Sequence, residues 1–483
     1  MTGSEYGERQ RAFGGAFGSY DGYGPPDATI VVLPSLSFPV VELQKITAVT
    51  FYEHRLLCLL LLLAEPGRRM VFVSSMSVDP VVLDYYLSFL PDPEGARARL
   101  TMMSLGDPAP HGLSLKLLER RSVLDEIRAL VSGARVGYLI PFNVTEAERR
   151  VADVVGLPIF GPAPEHARLG TKTGSRQVAK LADVPVLDGF EGLTSMPAVD
   201  DAIAKLCASA RPPDAVVIKL NEGFSGQGSA IVDCRDFAPP ASSSPTMFCG
   251  DGETWSSYGQ KVHHEGAVVE RLLREDLVAS PSVQVRIMPD GTPGVISTHD
   301  QVLGGEENQV YLGCRFPASG EYRDLITDCA QRITDHLAEE GVVGMFGMDF
   351  LVQADEGRPH AVLSEINLRL GGTTHPFVMA QLMTWATYDP ASGELTDPAG
   401  RPVHYLASDN IKSPDLVGSA PGVVIDRLDK AGLLYDPRTG VGTTVHLLGA
   451  LTDDGKMGAM CLAHSLEEAE ELSRAVMRTL NAV

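Results

Sequence analysis

Two acidic residues and one amide in the C-terminal half of the chain have the chemistry of a divalent-cation site. Asp349 lies in the apolar segment GMFGMDFLVQ, and Glu365 and Asn367 follow a short turn, separated by one residue. Side chains alternate along a strand, so Glu365 and Asn367 share a face, and hairpin pairing brings Asp349 beside them. Such oxygen donors suit Mg²⁺. The alternative is a hairpin with merely solvated carboxylates, but a carboxylate among apolar residues is costly without a partner.

Arg369 comes two residues after Asn367. If the strand continues, the guanidinium points to the same face, where its planar fork of donors suits a phosphate or carboxylate oxygen. We therefore interpret Arg369 as an anion-binding residue beside the predicted cation site.

Two lysines are candidate phosphate ligands. Lys219 ends the apolar segment AVVIKL, and the following NEGFSGQGSA contains Gly223, Gly226 and Gly228. Backbone N–H groups of such a loop can surround phosphate oxygens while the lysine supplies a point charge. A strand follows the loop, so the pattern is neither a P-loop nor a Rossmann fingerprint; an ordinary hairpin turn is the alternative. Lys172 opens a predicted helix and is either a second phosphate ligand or a solvated side chain.

The segment AVVERLLRED, which begins at Ala267, has the features of a purine nucleoside site. A purine needs apolar faces, a backbone donor and acceptor, and a group that accepts its amino protons. Leu272 and Glu270 can supply these, and Glu275 or Asp276 can accept hydrogen bonds from ribose hydroxyls. The alternative is a strand end with ordinary surface charges.

The elements that must position these residues divide the chain into five predicted parts. Alternating strands and helices from Thr29 to about Val154 predict a parallel α/β sheet. The pattern beyond it is β-rich, with an irregular Pro- and Ser-rich insertion over 236–266. The predicted parts are a flexible leader (1–26), an N-terminal α/β domain (27–164), a lobe with the glycine-rich loop (165–272), a lobe with the metal site (273–387) and a small C-terminal domain (388–483).

Composition narrows the class of protein. The chain has 483 residues and a formal net charge of −22, which disfavours nucleic-acid or anionic-membrane partners. Its longest apolar run, Leu56–Ala64, is much shorter than the roughly 20 residues of a membrane-spanning helix, and we predict that it belongs to one buried helix over 40–64. Seven cysteines without a C-x-x-C pair predict reduced thiols in a cytoplasmic protein.

Taken in their order along the chain, these features resemble the ATP-grasp superfamily, over about residues 165–380. The flanking N-terminal and C-terminal domains make the chain more similar to the peptide-ligase type found in pheganomycin biosynthesis. The resemblance implies an ATP-grasp fold of α/β and α+β type, with ATP and Mg²⁺ as cofactors in a cleft between two lobes. The residue roles that it implies are phosphate contacts for Lys172, Lys219, Gly223, Ser225, Gly226 and Gly228, adenine contacts for Glu270 and Leu272, ribose contacts for Asp276 or Glu275, Mg²⁺ ligation by Asp349, Glu365 and Asn367, and acyl-phosphate contacts for Arg369 and Arg286.

The resemblance implies an ATP-dependent ligase that joins a carboxylate to an amine, such as a peptide N-terminus, through an acyl phosphate. ADP and phosphate are the other products, and natural-product biosynthesis is the implied setting. We expect small-molecule or peptide substrates and neither a nucleic-acid nor a membrane partner. A homodimer is left open. The segment from His299 to Gly305 is predicted to close over the site. The alternatives are an ATP-grasp phosphotransferase, an acyl-CoA-forming enzyme, or a nucleotide-binding protein without catalysis.

Overall fold

The computed structural model describes residues 3–17, 22–223, 228–235, 237–250, 252–273, 277–304, 310–355 and 358–482. Most strands of this part of the chain belong to three sheets, which form an N-terminal domain, a first lobe and a second lobe. None of the helices described has the length and apolar character that a membrane crossing requires.

The N-terminal domain contains the predicted parallel α/β sheet. Its strands are Thr29–Leu33 (β1), Arg69–Ser74 (β2), Leu100–Ser104 (β3) and Gly137–Pro141 (β4). Its helices are Gly3–Phe17 (α1), Val40–Leu43 (α2), Pro80–Leu87 (α3), Pro93–Ala98 (α4), Leu113–Leu118 (α5), Arg121–Val131 (α6), Glu146–Val155 (α7) and a 3-10 helix, Val49–Ala64. The strand order is β3-β2-β1-β4 with parallel pairing throughout. Apolar side chains from the sheet are buried in two clusters, as expected for a sheet covered on both faces.

The prediction of a single helix over 40–64 is wrong, because two separate helices form there. Ala48, in the left-handed region with φ of 56°, separates α2 from the 3-10 helix. Every side chain from Leu56 to Leu63 is buried, so tertiary packing rather than helix propensity decides the local geometry. This 3-10 helix matters below because it carries a side chain into the main cavity.

The flexible leader predicted over residues 1–26 is wrong for Gly3–Phe17, which forms α1. Phe13 and Phe17 are buried four residues apart on one face of this helix. Their rings lie 5.2 and 5.7 Å, respectively, from the ring centre of Tyr138 on β4. The segment is therefore part of the N-terminal core.

Replacing Phe17 with alanine is expected to lower the free energy of unfolding by about 3–5 kcal/mol, because a large buried ring leaves a cavity. Chemical denaturation followed by circular dichroism measures the change. Arg11→Ala, at an exposed position of the same helix, is the control and should change stability by less than about 0.5 kcal/mol. Equal stability of both variants would mean that α1 does not contribute to the core.

The first lobe is an antiparallel sheet with helices packed on it. Its strands are Gly189–Leu193 (β5), Ala215–Leu220 (β6), Ser229–Asp233 (β7), Thr246–Phe248 (β8) and Ala267–Arg271 (β9), in the order β5-β9-β6-β7-β8. Its helices are Lys172–Leu181 (α8), Met196–Cys207 (α9) and Trp255–Glu265 (α10). The irregular insertion predicted over 236–266 is thus wrong where β8 and α10 form. Cys207 and Cys234 are joined by a disulfide, so the prediction of reduced thiols is wrong for this pair.

The second lobe is built on a nine-stranded sheet. Its strands are Leu277–Ala279 (β10), Pro281–Ile287 (β11), Pro293–Gly304 (β12), Val310–Phe316 (β13), Gly344–Asp355 (β14), Arg358–Asn367 (β15), and, after a separate hairpin of Thr387–Asp389 (β16) and Glu394–Thr396 (β17), His404–Lys412 (β18), Gly442–His446 (β19) and Lys456–Ala463 (β20). Its helices are Arg323–Glu339 (α11), Thr374–Thr384 (α12), Pro421–Lys430 (α13), Leu451–Asp454 (α14) and Leu466–Leu480 (α15). Because β18 pairs with β13, the strands of the C-terminal segment continue the sheet of the second lobe.

Candidate active site

A cavity of about 890 Å³ is lined by residues of the N-terminal domain and both lobes. Many of the residues singled out in the sequence line it together. They are Lys172, Lys219, Gly223, Gly228, Leu272, Asp349, Glu365, Asn367 and Arg369. Positions that are far apart in the chain therefore face one space.

The predicted hairpin forms, and it brings the three oxygen-bearing side chains into contact. Strands β14 and β15 pair antiparallel, with Asp349 opposite Glu365. Asn367 Nδ2 donates to Asp349 Oδ2 at 2.9 Å and to Glu365 Oε1 at 3.1 Å. Gln301 Nε2 on β12 donates to the other Asp349 oxygen at 2.7 Å. The carboxylates of Asp349 and Glu365 are thus close enough to accept hydrogen bonds from the same amide nitrogen.

The electrostatics of this set fit a bound cation. Burial raises the pKa of Asp349, although hydrogen bonding from Ser282 and the charges of Arg369 and Lys172 act in the opposite direction. A carboxylate that is desolvated in this way gains from any nearby positive charge. Hard oxygen donors grouped on a rigid hairpin are the ligands that Mg²⁺ prefers.

Lys172 contacts one of the three predicted Mg²⁺ ligands, Asp349, Glu365 and Asn367, which are called the metal set below. Its ammonium forms an ion pair with Glu365. Burial, with the neighbouring Lys219 and Arg369, lowers the pKa of Lys172 to about 7, against the opposing effect of Asp349 and Glu270. The lysine begins α8, where Thr171 accepts a hydrogen bond from the Gly174 N–H as the N-cap.

Arg369 faces the cavity beyond the metal set. Its Nη2 donates to Asn367 Oδ1 at 2.9 Å, and its guanidinium carbon lies 5.7 Å from the centre of the Phe38 ring. Burial lowers the pKa of the guanidinium. The negative charge of Asp349 partly offsets this shift, and the positive charge of Arg55 lowers the pKa further. Two contacts therefore position the guanidinium, as a group that binds an oxyanion requires.

The resemblance implies that Glu270 contacts adenine, which would require its side chain to face the cavity. In the structure it does not line the cavity. Its carboxylate is 1% exposed and forms ion pairs with Lys219 at 2.8 Å and with Arg176 at 2.5 Å. Burial raises the pKa of Glu270, but these two cations outweigh burial and lower it overall. The observed contacts make Glu270 an anchor for Lys219, whose own side chain lines the cavity.

Several other predicted positions differ from expectation. Arg286 does not line the cavity; its guanidinium carbon lies 5.8 Å from the centre of the Tyr23 ring. Residues from His299 to Gly304 belong to β12, and His299 is buried against Tyr405 Oη at 2.7 Å, so this part of the predicted closing loop is a fixed strand. Four predicted positions lie outside the described residues; these are Ser225, Gly226, Asp276 and its alternative Glu275.

Sequence reasoning missed residues that tertiary contacts reveal. Arg176 is buried between Glu270 and Glu191 in the first lobe. Arg55 and Asp409 also line the cavity and contact one another. No local pattern marks these residues, because their partners lie far away in the chain. A polar side chain next to an apolar run, such as Arg55 directly before LLCLLLLL, is the one available signal.

Comparisons with known proteins show what the whole chain is similar to. The chain is 31% identical over 468 residues to L-propargylglycine–L-glutamate ligase of Streptantibioticus cattleyicolor, covering 94% of each chain. It is 20% identical over 413 residues to IQ motif-containing protein H of Danio rerio, covering 74% of this chain and 39% of that protein. A family model described as IQCH-like, ATP-grasp matches residues 249–390, and one described as PGM1 C-terminal domain matches 423–476.

Solved structures show the same fold at low sequence identity. A biotin carboxylase from Campylobacter jejuni has a TM-score of 0.58 at 15% identity and covers 95% of this chain and 92% of that one. An ADP complex of purK, N5-carboxyaminoimidazole ribonucleotide synthetase, has a TM-score of 0.52 at 13% identity and covers 94% and 96%. The predicted ATP-grasp fold is confirmed.

Proposed function

Because the chain belongs to the ATP-grasp carboxylate–amine ligases, we propose that it joins the carboxylate of one amino acid to the amine of another amino acid or of a peptide. The relative with 31% identity is named as a ligase of two amino acids, and the match covers 94% of both chains. That likeness favours a ligase over the phosphotransferase, acyl-CoA-forming and non-catalytic alternatives.

The observation that carries the proposal is the convergence of cations and carboxylates on one cavity. Lys172 and Lys219 approach it from the first lobe, while Asp349, Glu365 and Arg369 approach it from the second. Phosphoryl transfer needs positive charge around the phosphate oxygens and positioning of the attacking group. The two lysines supply part of that charge.

Mg²⁺ would be held by Asp349, Glu365 and Asn367, and when bound it would neutralise charge on the phosphates. The lysines would orient ATP so that a substrate carboxylate attacks the γ-phosphoryl group, which breaks its bond to ADP; ADP leaves and an acyl phosphate forms. The amine then attacks the acyl carbon and phosphate leaves. Arg369 would stabilise the oxyanion of that tetrahedral state. We also propose that the protein forms a homodimer.

The test of the function is a screen for ADP release with pairs of acids and amines, followed by mass analysis of the products. L-glutamate and the other proteinogenic amino acids serve as acids and as amines, together with dipeptides. The proposal requires ADP release that depends on both partners and a product joined by an amide bond. ADP release that depends on coenzyme A or on an alcohol would contradict it.

Lys219→Met is expected to raise the KM for ATP by about 10- to 100-fold, because it removes a charge-assisted contact to phosphate. Glu270 keeps Arg176 as a partner in this variant, so the fold should persist. The matched control is Lys205→Met, an exposed lysine of the same lobe, which should leave the KM unchanged. Steady-state kinetics with varied ATP measure both, and an unchanged KM in Lys219→Met would remove this lysine from the phosphate site.

A further inference from the structure

A second guanidinium lines the cavity and has no part in the chemistry above. Arg55 is carried by the 3-10 helix of the N-terminal domain, and its side chain is 15% exposed. Its Nη2 lies 2.6 Å from Asp409 Oδ2 on β18, and its guanidinium carbon lies 4.6 Å from the centre of the Tyr52 ring. Two elements therefore hold the side chain in one orientation.

The contacts behind Asp409 make this arrangement rigid. His446 Nε2 lies 2.5 Å from Asp409 Oδ1, and His375 Nε2 lies 3.2 Å from the same oxygen. The His446 ring occupies the space beside Gly458, where an added Cβ would lie 2.0 Å from Nε2. All three side chains are buried, so Asp409 is fixed from behind while its other oxygen holds Arg55.

Arg55 still has unused capacity to bind an anion. Asp409 engages Nη2, which leaves the second Nη group of the planar fork for a ligand in the cavity. Arg369 faces the same cavity, so two guanidiniums line one space. An anion in that space would offset the repulsion between the two like charges.

We propose that Arg55 binds the α-carboxylate of the amine substrate, so that the acceptor is a free α-amino acid. This inference rests on the proposed ligase function and names the class of its amine. The activated carboxylate must lie beside Lys219 and the metal set, to receive the phosphoryl group. Arg55 pairs instead with Asp409 on β18, and we therefore assign it to the other substrate, the amine. The apolar side chains of Leu36 and Phe142 line the same cavity and suit the rest of such a substrate.

The experiment compares amine substrates that differ only in this carboxylate. Proteinogenic L-amino acids and their α-carboxamides are supplied as amines with ATP, Mg²⁺ and L-glutamate or another accepted acid, and amide products are quantified by mass spectrometry. We expect the wild-type enzyme to prefer the free amino acid by about 30- to 100-fold in kcat/KM, the worth of a charged hydrogen-bonded contact. Arg55→Met should reduce that preference to about threefold or less and leave the KM for ATP unchanged.

Two further variants separate direct binding from other effects. Arg55→Lys keeps a positive charge to pair with Asp409. Its preference for the free amino acid over the carboxamide should persist but be smaller, because an ammonium lacks the planar fork of donors. Lys45→Met removes another cation that lines the cavity and should keep the full preference. If Arg55→Met proves unstable, Arg55→Lys carries the test: an undiminished preference in that variant overturns the assignment, as would a wild-type enzyme that uses amino acids and carboxamides equally. ADP release without any amide product contradicts instead the ligase function.

Discussion

Replacing Asp349 with asparagine is expected to lower kcat for substrate-dependent ADP release by about 10³-fold, which corresponds to about 4 kcal/mol of transition-state stabilisation. The amide keeps the shape of the side chain but removes the negative charge that would hold Mg²⁺ beside Glu365. Burial raises the pKa of Asp349, so the folded protein bears a cost for this charge, and the neutral side chain removes that cost. The melting temperature should therefore be unchanged or higher.

The loss of activity must accompany a loss of metal dependence. The concentration of Mg²⁺ needed for half-maximal ADP release should rise sharply in Asp349→Asn. Asp300→Asn is the control: this aspartate also has a pKa raised by burial, but it bonds Tyr322 and Ser319 and does not line the cavity. It should keep the wild-type dependence on Mg²⁺. Unchanged turnover in Asp349→Asn would show that the hairpin is not the metal site.

Glu270→Ala is expected to lower the free energy of unfolding by about 3–5 kcal/mol, because it leaves Arg176 without one of its buried partners. Arg176 is 2% exposed and cannot turn to solvent, so the remaining contact with Glu191 must compensate it alone. The variant also releases Lys219 from its anchor, so the KM for ATP should rise. Chemical denaturation and steady-state kinetics measure the two effects.

The two possible roles of Glu270 predict different outcomes. A direct adenine ligand at the cavity surface would raise the KM for ATP with little loss of stability. An anchor in a buried ion-pair cluster changes both quantities. Asp201→Ala is the control, because Asp201 forms an exposed ion pair with Lys205, and such pairs contribute at most about 1 kcal/mol. A stability loss no greater than that of the control would contradict the anchoring role.

Local patterns in the sequence predict part of the site well. The hairpin of β14 and β15 depends on alternation and a short turn, which are short-range features. Its register then places Asp349, Glu365 and Asn367 together without help from the rest of the chain. Lys219 before its glycine-rich turn is likewise recognisable from neighbouring residues. The domain boundaries at 164/165 and 272/273 and the cytoplasmic location stay predictions, whereas the C-terminal domain predicted over 388–483 shares its sheet with the second lobe.

Long-range contacts explain the errors. Phe13 and Phe17 stand in a glycine-rich segment that reads as a leader, and they become part of a core only when β4 presents Tyr138 to them. The alternation that marked the C-terminal strands does not say which sheet they join, and pairing of β18 with β13 decides it. His299 lies in a strand because β11 and β13 pair on either side of it.

By itself, the sequence determined the hairpin that carries Asp349, Glu365 and Asn367 and the order of the cationic residues, because periodicity and spacing act over short distances. The ATP-grasp fold was implied by the resemblance of these features to that superfamily. Only the tertiary structure decided that Glu270 is turned away from the cavity and toward Arg176, and that Arg55 enters it against Asp409. The orientation of a buried charge depends on which partners compensate its desolvation. Those partners come from other elements, so no local pattern contains them.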